Sequence, residues 1–335
     1  MSNVNRQWIL RSRPKGLLAP GDLQLTEAPV PSPTDGQALA KVKYLSIDPT
    51  MRNWMADRPS YAPPVAIGEV MRAFGFAEVI ESCNKDYKKG DKIVGLTGLQ
   101  EYVTVDGREK RPFQKVPPVP FVSDTAFLGV LGLNGLTAYF GMMEIGKPQK
   151  GETLVVSAAA GATGSIAGQI GKIHGCRVVG IAGTDEKCKW ITEDLGFDAA
   201  INYKNPDWKE KLAAATPKGI DINFENVGGE IMKEVLNRMN LFGRVVLCGL
   251  ISSYTKEDPS LASFGLVIIK RLKVQGLLVP DFASRFMEAA THLGKWKMLG
   301  KLKDREMIVE GLEKAPDAIN MLFTGANIGK LIVKI

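Results

Sequence analysis

From residue 153 onward, short apolar segments alternate with longer helix-compatible segments, and this alternation admits few folds. The predicted strands are 153–158, 177–182, 199–203, 220–226, 244–248 and 273–279, and the first two predicted helices are 164–174 and 185–195. Strands separated by helical spacers need right-handed crossovers, which place the strands in one parallel sheet with helices on both faces. Residues 125–295 are therefore predicted to form a doubly wound α/β domain.

The first third of the chain has a different pattern, in which short apolar or alternating segments are separated by Pro and Gly turns. These segments, which are typical of strands, are 37–45, 76–80, 92–97 and 101–105. The helix-like segment 312–323 and a terminal strand at 330–335 could return to this half. We therefore expect a second, mostly β domain made from residues 1–124 and 296–335.

A glycine turn follows the first strand of the α/β series and opens its helix. It reads A-x-G-x-x-G and places at the helix start Gly161, Ala162, Thr163 and Gly164. Gly161 would let the backbone approach a pyrophosphate, and Gly164 would let the helix pack close to the strand. Ala159 replaces the usual first glycine, so we expect a slightly wider turn. Such a turn can serve packing alone, but its place in a βαβ series favours a Rossmann dinucleotide site.

The tip of the second strand indicates which dinucleotide is bound. NAD enzymes usually place Asp or Glu about 20 residues after the glycines, where the acid holds the ribose 2′-hydroxyl. Here that place is Gly183-Thr184, which carries no acid and is followed by Lys187 and Lys189. The pattern favours NADP(H), because an acid would repel its extra phosphate; the alternative is two solvated lysines beside a neutral turn. Asp185 is predicted to be the N-cap of the next helix.

Charge and cysteine usage exclude several classes of protein. The chain has 43 Lys and Arg against 36 Asp and Glu, a net charge of +7, with the basic residues scattered. This surplus fits anionic small molecules or plain solubility, and no basic stripe or recognition helix points to nucleic acid. The four cysteines form no CxxC pair, and neither a signal peptide nor a long apolar run is present. We expect a soluble cytoplasmic protein with reduced thiols and no membrane partner.

Several catalytic arrangements are absent from the sequence. The two histidines, His174 and His292, stand in no metal-binding motif, so we expect packing or surface roles for them and no catalytic metal. There is no GxSxG elbow and no Tyr-x-x-x-Lys pair. The segment GMMEIGK (141–147) imitates a phosphate loop, but Pro148 replaces the Ser or Thr that would hold Mg²⁺.

A dinucleotide site without a metal or a histidine base leaves most of the chemistry to the cofactor. Oxidation of an alcohol is hard under these conditions. Reduction of an alkene conjugated to a carbonyl is easier, because hydride transfer to the β-carbon gives an enolate that needs one hydrogen-bond donor and a proton source. The sequence therefore favours a double-bond reductase, with a tyrosine or a ribose hydroxyl as the donor.

Six motifs occur in order along the chain and carry a resemblance to a known family. They are SIDPTMR (46–52), AAGATGS (159–165), GFDAAINYK (196–204), ENVGG (225–229), CGLISSY (248–254) and NIGK (327–330). The set resembles the zinc-independent medium-chain dehydrogenases/reductases of the prostaglandin reductase, 2-alkenal reductase and curcumin reductase group, also known through leukotriene B4 12-hydroxydehydrogenase. This resemblance extends from end to end. It implies a GroES-like, mostly β catalytic domain, a Rossmann NADP(H) domain, an active site in the interdomain cleft and a homodimer.

The resemblance also implies positions around the cofactor. Residues 161–164 would hold the pyrophosphate, Lys187 and Tyr203 the 2′-phosphate, and Asn226 the adenosine side. The residues that would line the nicotinamide half or reach the cofactor are Cys248, Gly249, Ile251, Ser252, Tyr254, Leu277, Leu278, Val279 and Asn327. Tyr254 matches the family's tyrosine beside the nicotinamide ribose. It would stabilise the enolate or relay a proton, or alternatively only position the cofactor.

On the substrate side, Met51 and Arg52 match the family's Met-Arg pair, although Arg52 could instead be a structural ion-pair partner. Trp54 and Tyr61 could line the pocket or simply pack. The family often has Tyr where this chain has Thr50, and its customary glycine-rich turn is here MRAFGF (71–76). These two departures should reshape the pocket for the lipophilic enal or enone.

Two alternatives to an enal or enone reductase stay open. The same superfamily reduces quinones on a similar metal-free scaffold. A protein of a different class could bind NADPH without turnover, but such a binder has no physical need for the Asp-Pro-x-Met-Arg segment and Tyr254 together.

Overall fold

The computed structural model describes residues 4–58, 60–106, 113–117, 119, 122–255 and 264–335. The strands are β1 (Val4–Leu10), β2 (Leu23–Pro29), β3 (Gln37–Ser46), β4 (Phe74–Ser82), β5 (Lys92–Leu96), β6 (Tyr102–Asp106), β7 (Gln114–Lys115), β8 (Thr153–Ser157), β9 (Arg177–Ala182), β10 (Ala199–Asn202), β11 (Ile220–Glu225), β12 (Met239–Leu247), β13 (Lys273–Gly276), β14 (Glu306–Glu310) and β15 (Lys330–Lys334). The α-helices are α1 (Thr50–Trp54), α2 (Leu133–Phe140), α3 (Ala162–Ile173), α4 (Asp185–Glu193), α5 (Trp208–Ala215), α6 (Gly229–Arg238), α7 (Phe264–Ile269), α8 (Phe286–Met298) and α9 (Ala315–Thr324).

The chain divides into two compact units. Unit 1 contains Met1–Leu128, Glu306–Asn327 and Leu331–Ile335, and unit 2 contains Gly129–Arg305 and Ile328–Lys330. The predicted crossings are 124/125 and 295/296, whereas residues 296–305 lie in unit 2 in the structure. Helix α8 explains this difference, because it continues to Met298 and buries Leu293.

Unit 1 is built on a seven-stranded sheet. The strand order is β14-β15-β3-β4-β5-β7, with β6 also paired to β3, and β1 and β2 form a separate antiparallel pair. Strand β15 pairs antiparallel with β3, with Ile332 opposite Ser46. The predicted return of the C-terminal strand to the first half of the chain is therefore confirmed. Helix α9 packs on the same core through Ala315, Ala318 and Ile319.

Unit 2 contains a six-stranded sheet in the order β10-β9-β8-β11-β12-β13, and its neighbouring strands are parallel. Numbered within this unit, the order is 3-2-1-4-5-6, which is the arrangement of doubly wound dinucleotide-binding sheets. The expected fold class, a mostly β unit with a Rossmann-type unit, is confirmed. The order reverses between β8 and β11, so ligand binding is expected at the carboxyl ends of these two strands.

Helices cover both faces of this sheet because its strands are apolar on both faces. Every residue of β8 is buried. Val155 faces the core that contains Leu212 of α5 and Val235 of α6. Its neighbour Leu154 points the other way, against α3 at Gly171. Successive side chains of a strand alternate between faces, so both neighbours can be buried only where the sheet is covered twice.

The segment that imitates a phosphate loop is not a loop in the structure. Gly141–Gly146 forms a short π-helix that continues α2 and ends before β8 begins. Gly141 is buried, and a side chain there would meet Phe224 and Leu277. The structure therefore agrees with the sequence argument that this segment is not a phosphate site. Within the residues described, no helix combines the length and apolar character needed to span a bilayer.

The contact of α3 with Phe197 gives a test of the packing. A Cβ added at Gly168 would overlap the ring of Phe197, whereas one added at Gly294 of α8 meets nothing within 4 Å. We expect Gly168→Ala to lower the free energy of unfolding by about 1–3 kcal/mol through overpacking. Gly294→Ala, the matched control, should leave stability unchanged or raise it by up to about 1 kcal/mol. Urea denaturation of both variants measures this, and equal changes would contradict the packing assignment.

Candidate cofactor-binding site

The glycine turn lies where β8 ends at the carboxyl edge of the unit 2 sheet. After Ser157, Ala158 adopts φ +48°, a left-handed conformation that is uncommon for a residue with a side chain. The backbone N–H of Gly161 donates to the Ala158 carbonyl oxygen at 2.9 Å, and Gly161 is the N-cap of α3 without a side-chain cap bond. The first N–H groups of a helix lack intrahelical acceptors, so the start at Ala162 and Thr163 is suited to an anion such as a pyrophosphate.

Gly164 allows α3 to begin this close to the strand. A Cβ at this position would lie 2.5 Å from the Ala158 carbonyl oxygen, which is too close for any side chain. The packing role predicted for this glycine is therefore the one the structure gives it. Thr163 is held at the same turn, because its hydroxyl accepts a hydrogen bond from the Asn134 side-chain amide at 3.3 Å.

The NIGK segment also touches the turn. The backbone N–H of Gly329 donates to the Ala160 carbonyl oxygen at 2.8 Å, and Gly329 forms a parallel bridge with Gly161. Gly329 adopts φ +69°, and a Cβ there would overlap the Arg305 carbonyl oxygen. Asn327, predicted to reach the cofactor, is buried and belongs to unit 1.

At the tip of β9, a neutral surface is formed by backbone and one aromatic ring. The Tyr203 ring packs over Gly183, because a Cβ added to this glycine would lie 3.1 Å from the ring. The N-cap of α4 is Thr184, whose hydroxyl oxygen accepts from the Lys187 backbone N–H at 3.3 Å. The prediction that Asp185 is this N-cap is wrong. Asp185 is instead the first residue of α4, and its carboxylate accepts from the Asn202 side chain at 2.8 Å.

Lys187 lies at this tip with its side chain partly buried. Burial lowers the pKa of the Lys187 ammonium, the positive charge of Lys204 lowers it further, and Glu186 opposes both effects. Because positions 183 and 184 carry no acid, a doubly charged phosphate at this tip would stabilise the two cations. Lys189, by contrast, is exposed and lies 3.8 Å from Glu193 in an i,i+4 pair.

A buried carboxylate joins the ends of β8 and β11 at the point where the strand order reverses. Glu225 is fully buried, and one of its oxygens accepts from the Ser157 hydroxyl at 2.7 Å and from the N–H groups of Val227 and Gly228 at 2.7 and 2.8 Å. Its other oxygen accepts from the Asn223 side chain at 3.1 Å. Burial raises the pKa of Glu225 above its ordinary value, and the hydrogen bonds oppose this rise.

Asn226 is fixed in the same network. Its backbone N–H donates to the Ser157 hydroxyl oxygen at 2.8 Å, and its side chain donates to the Ser157 carbonyl oxygen at 2.7 Å. The Asn226 side chain therefore ties β11 to β8. Its predicted contact with the adenosine side stays a prediction.

The segment after β12 is anchored on the segment after β11. The N–H groups of Cys248 and Gly249 donate to the Glu225 carbonyl oxygen, and those of Ile251 and Ser252 donate to Asn226 and Val227. Burial raises the pKa of the Cys248 thiol to about 12, and the negative charge of Glu225 adds to the rise. The thiol is therefore protonated at neutral pH.

Tyr254 ends this segment, and its ring folds back over the chain. Its hydroxyl oxygen accepts from the Leu250 N–H at 3.4 Å and would lie 3.3 Å from a Cβ placed on Gly249. The next strand ends close by in the sheet, since the Leu277 N–H donates to the Leu247 carbonyl oxygen at 2.9 Å. Leu278 and Val279 follow Leu277 and begin a 3-10 helix, Val279–Arg285. The predicted nicotinamide-side residues thus follow two neighbouring strand ends.

The four predicted substrate residues lie in unit 1, mostly in its core. Met51 and Trp54 are buried, and the Trp54 indole N–H has no hydrogen-bond partner among the residues that the structure describes. The Arg52 guanidinium is buried and donates to the backbone carbonyls of Pro14 and Gly16. Burial lowers the pKa of Arg52. These bonds favour a structural role for Arg52, although through carbonyls instead of an ion pair.

Tyr61 is the most exposed of the four, and its hydroxyl is hydrogen-bonded to that of Thr50. The residue that replaces the family's usual tyrosine therefore contacts a tyrosine supplied from 11 residues further on. Position 50 lacks the phenol that the family often has there, but the Tyr61 phenol lies next to it.

The histidines have packing roles, as predicted. The His174 ring lies 2.9 Å from the Ile170 carbonyl oxygen through Nδ1, and the His292 ring stacks on Tyr139 with centroids 5.6 Å apart. Across the described ranges, no three His, Cys, Asp or Glu side chains are grouped so that they could hold a metal ion.

Sequence patterns predict no individual role for Ser157, Glu225, Lys204 or Gly329, although all four lie at this edge. Glu225, Lys204 and Gly329 belong to motifs that were recognised as wholes. A charged residue at the carboxyl end of a predicted strand, as in INFE (222–225), is a signal that identifies Glu225 as a candidate. Lys204 follows Tyr203 directly and could have been included with it.

The sheet order and its carboxyl-edge residues define a two-unit protein that carries a dinucleotide-binding Rossmann fold. Comparison with known proteins makes this class more specific. A family model described as "N-terminal domain of oxidoreductase" matches residues 6–113, and one described as "Zinc-binding dehydrogenase" matches residues 162–295.

The relatives cover nearly the whole chain. It is 44% identical to the NADPH-dependent curcumin reductase of Escherichia coli (strain K12), over 99% of this chain and 97% of that protein. It is 37% identical to prostaglandin reductase 1 of Mus musculus, over 98% of both. The crystal structure of CurA in complex with NADPH from Vibrio vulnificus is 41% identical, with a TM-score of 0.93 over 98% of both chains. The chain belongs to the curcumin reductase and prostaglandin reductase family of medium-chain dehydrogenases/reductases, as its motifs predicted.

Proposed function

We propose that this protein is an NADPH-dependent reductase of the carbon–carbon double bond in enals and enones. The observation that carries the proposal is the tip of β9, where positions 183 and 184 carry no acid, Tyr203 packs over Gly183, and the charge of Lys204 acts on the partly buried Lys187. Such a tip suits the 2′-phosphate that distinguishes NADPH from NADH. The names of the relatives, NADPH-dependent curcumin reductase and prostaglandin reductase 1, support the same cofactor and reaction class.

The residues at the carboxyl edge of unit 2 fit NADP(H). The start of α3 at 161–164 would receive the pyrophosphate, because Gly164 brings the helix N-terminus against β8. Lys187 and Tyr203 would hold the 2′-phosphate, and Asn226 would lie on the adenosine side. The segment 248–254 and residues 277–279 would line the nicotinamide half, with Asn327 as a further contact.

When bound, the cofactor would supply a hydride to the β-carbon of the substrate, and a proton from solvent would reach the α-carbon to complete the saturated product. The charge that develops on the carbonyl oxygen needs a hydrogen-bond donor, which a phenol can provide. We assign this role to Tyr254, which is fixed beside the backbone at Gly249 and Leu250. Cys248 is unsuited as a base because its thiol is protonated at neutral pH. No metal ion takes part in the proposed step.

On the substrate side, Met51, Arg52 and Trp54 would shape the pocket from within the unit 1 core, and Tyr61 would contribute more directly. The substrate would be a small lipophilic carbonyl compound.

The proposal also includes a homodimer. It is supported by β13, an edge strand of the described sheet, and by the exposed side chains of Ile268 and Ile269. Sedimentation equilibrium tests it.

The direct test is the loss of NADPH absorbance with a panel of enals, enones and quinones. We expect turnover with enals or enones, and a product saturated at the α,β bond by mass spectrometry. A protein active on quinones alone would be a quinone reductase. Tight NADPH binding with no turnover of any acceptor would identify a non-catalytic binder and refute the proposal.

Lys187→Ala should narrow the preference for NADPH over NADH by about 1–2 kcal/mol, the scale of a hydrogen bond to a charged group. Titration of both dinucleotides by fluorescence measures the preference. Lys189→Ala is the matched control, because this lysine lies on the same helix but is exposed beside Glu193. An unchanged preference in Lys187→Ala, or an equal change in both variants, would remove Lys187 from the phosphate site.

Tyr254→Phe should lower kcat at least about tenfold, within the range that positioned proton donors contribute. The Kd for NADPH should change much less, because the phosphate-binding residues are untouched. Tyr44→Phe, which removes a phenol hydroxyl from β3 of unit 1, should leave both constants unchanged. Steady-state kinetics and NADPH titration decide the matter, and undiminished turnover in Tyr254→Phe would leave this tyrosine a positioning role only.

A further inference from the structure

The buried carboxylate of Glu225 has no part in the chemistry proposed above. It nevertheless accepts hydrogen bonds from several groups that lie outside β11. Three donors converge on one oxygen: the Ser157 hydroxyl and the N–H groups of Val227 and Gly228, all within 2.7–2.8 Å. A buried carboxylate is costly unless its oxygens are hydrogen-bonded. The Glu225 side chain thus fixes the turn that follows β11 directly onto the end of β8.

The turn held in this way is itself the support for the segment that ends in Tyr254. The carbonyl oxygen of Asn226 accepts from the Ile251 N–H at 3.1 Å, and that of Val227 accepts from the Ser252 N–H at 3.0 Å. These bonds run from the turn to the 3-10 helix Ile251–Ser253, and Tyr254 is the C-cap of this helix. A continuous series of hydrogen bonds therefore connects the Glu225 carboxylate to the backbone that carries the Tyr254 side chain.

A second carboxylate makes a comparable link at the other end of the same strand. Asp221 accepts from the Thr153 N–H at 2.8 Å and from the Asn240 side chain at 2.7 Å, which joins the beginnings of β8, β11 and β12. Asp221 and Glu225 thus both connect neighbouring strands of one sheet. They differ in the edge they occupy, since only Glu225 lies at the carboxyl edge.

We propose that Glu225 is a positioning residue for the nicotinamide side of the site: its carboxylate holds the 226–228 turn, and through it the 251–254 segment and Tyr254. The inference rests on the proposed cofactor site. Under this proposal, Glu225 matters more for the alignment of Tyr254 than for the affinity for NADPH. The glycine turn and Lys187, which would bind the phosphates, are held by other bonds.

Glu225→Gln tests the proposal, with Asp221→Asn as the matched control at the opposite edge. Each change replaces a bridging carboxylate by its neutral amide in the full-length protein. In Glu225→Gln the bonds to the retained oxygen lose their charge assistance, and an NH₂ donor replaces the oxygen that accepts from Asn223. We expect Glu225→Gln to lower kcat about tenfold or more, a loss that corresponds to roughly 1.4 kcal/mol of transition-state stabilisation. The KM for NADPH should change less than about threefold, since most contacts to the phosphates are retained. Asp221→Asn should lower thermal stability without changing kcat.

Two measurements avoid dependence on turnover. In the cofactor-free protein, amide hydrogen exchange at Val227, Gly228, Ile251 and Ser252 should quicken in Glu225→Gln and not in Asp221→Asn. The emission of bound NADPH, which reports the surroundings of the nicotinamide, should differ from that of the parent protein only in Glu225→Gln. Ser157→Ala is measured alongside, because it removes one of the three bonds to the same oxygen together with the acceptor of the Asn226 N–H. It takes the place of Glu225→Gln in all measurements if that variant does not fold.

The results separate the two proposals. If the parent protein binds NADPH but turns over no acceptor, the proposed function fails, and hydrogen exchange and NADPH emission still decide the role of Glu225. If Glu225→Gln and Ser157→Ala both have the exchange rates and the NADPH emission of the parent, the positioning role is refuted. Equal losses in Glu225→Gln and Asp221→Asn would make Glu225 a stabilising residue only and also overturn the proposal.

Discussion

The close approach of α3 to β8 is the constraint on which the site in unit 2 depends. Gly164 has no room for a side chain, because a Cβ would lie 2.5 Å from the Ala158 carbonyl oxygen. The helix can therefore start directly at the strand end, so the N–H groups of its first turn lie where the strand order reverses. Ala158, the first residue after β8, adopts a left-handed backbone conformation. The contact with Gly329 then holds the turn from a distant part of the chain.

The two carboxylates of β11 show how one strand serves both stability and function. Asp221 and Glu225 lie four positions apart and each reaches a neighbouring strand. In doubly wound sheets the carboxyl edge carries ligands and the amino edge does not. The same kind of bond therefore has different consequences at the two ends. At the amino edge it joins strands, and at the carboxyl edge it also fixes the loops that would meet the cofactor.

Much of the architecture was predictable from the sequence, because strand and helix patterns are local. The six predicted strands of unit 2 recur within a few residues, and the glycine turn lies at the helix start as expected. The N-cap of α4 was mistaken because Thr184 and Asp185 are both good capping residues, and only the backbone at Thr184 is extended. Sequence propensity cannot separate such neighbours.

Contacts between residues far apart in the chain could not be predicted from the sequence. Arg52 lies far along the chain from the carbonyls of Pro14 and Gly16, and no local pattern reports that these groups meet. Glu225 and Ser157 are separated by 68 positions, and their contact depends on the strand order of the whole sheet. The exposed Tyr61 beside Thr50 likewise follows from loop conformation. The roles of single residues therefore needed coordinates even where the fold did not.

The proximity of Lys187 and Lys204 has a consequence for how the protein responds to its medium. The positive charge of Lys204 disfavours the charged form of Lys187, so a phosphate held there as proposed would gain by attraction and by relieving that repulsion. Dissolved salt screens both contributions, and at about 1 M the screening length falls to roughly 3 Å. If the phosphate site lies here as proposed, discrimination between the two dinucleotides depends on ionic strength as well as on the protein. It would then be larger in dilute buffer than at high salt.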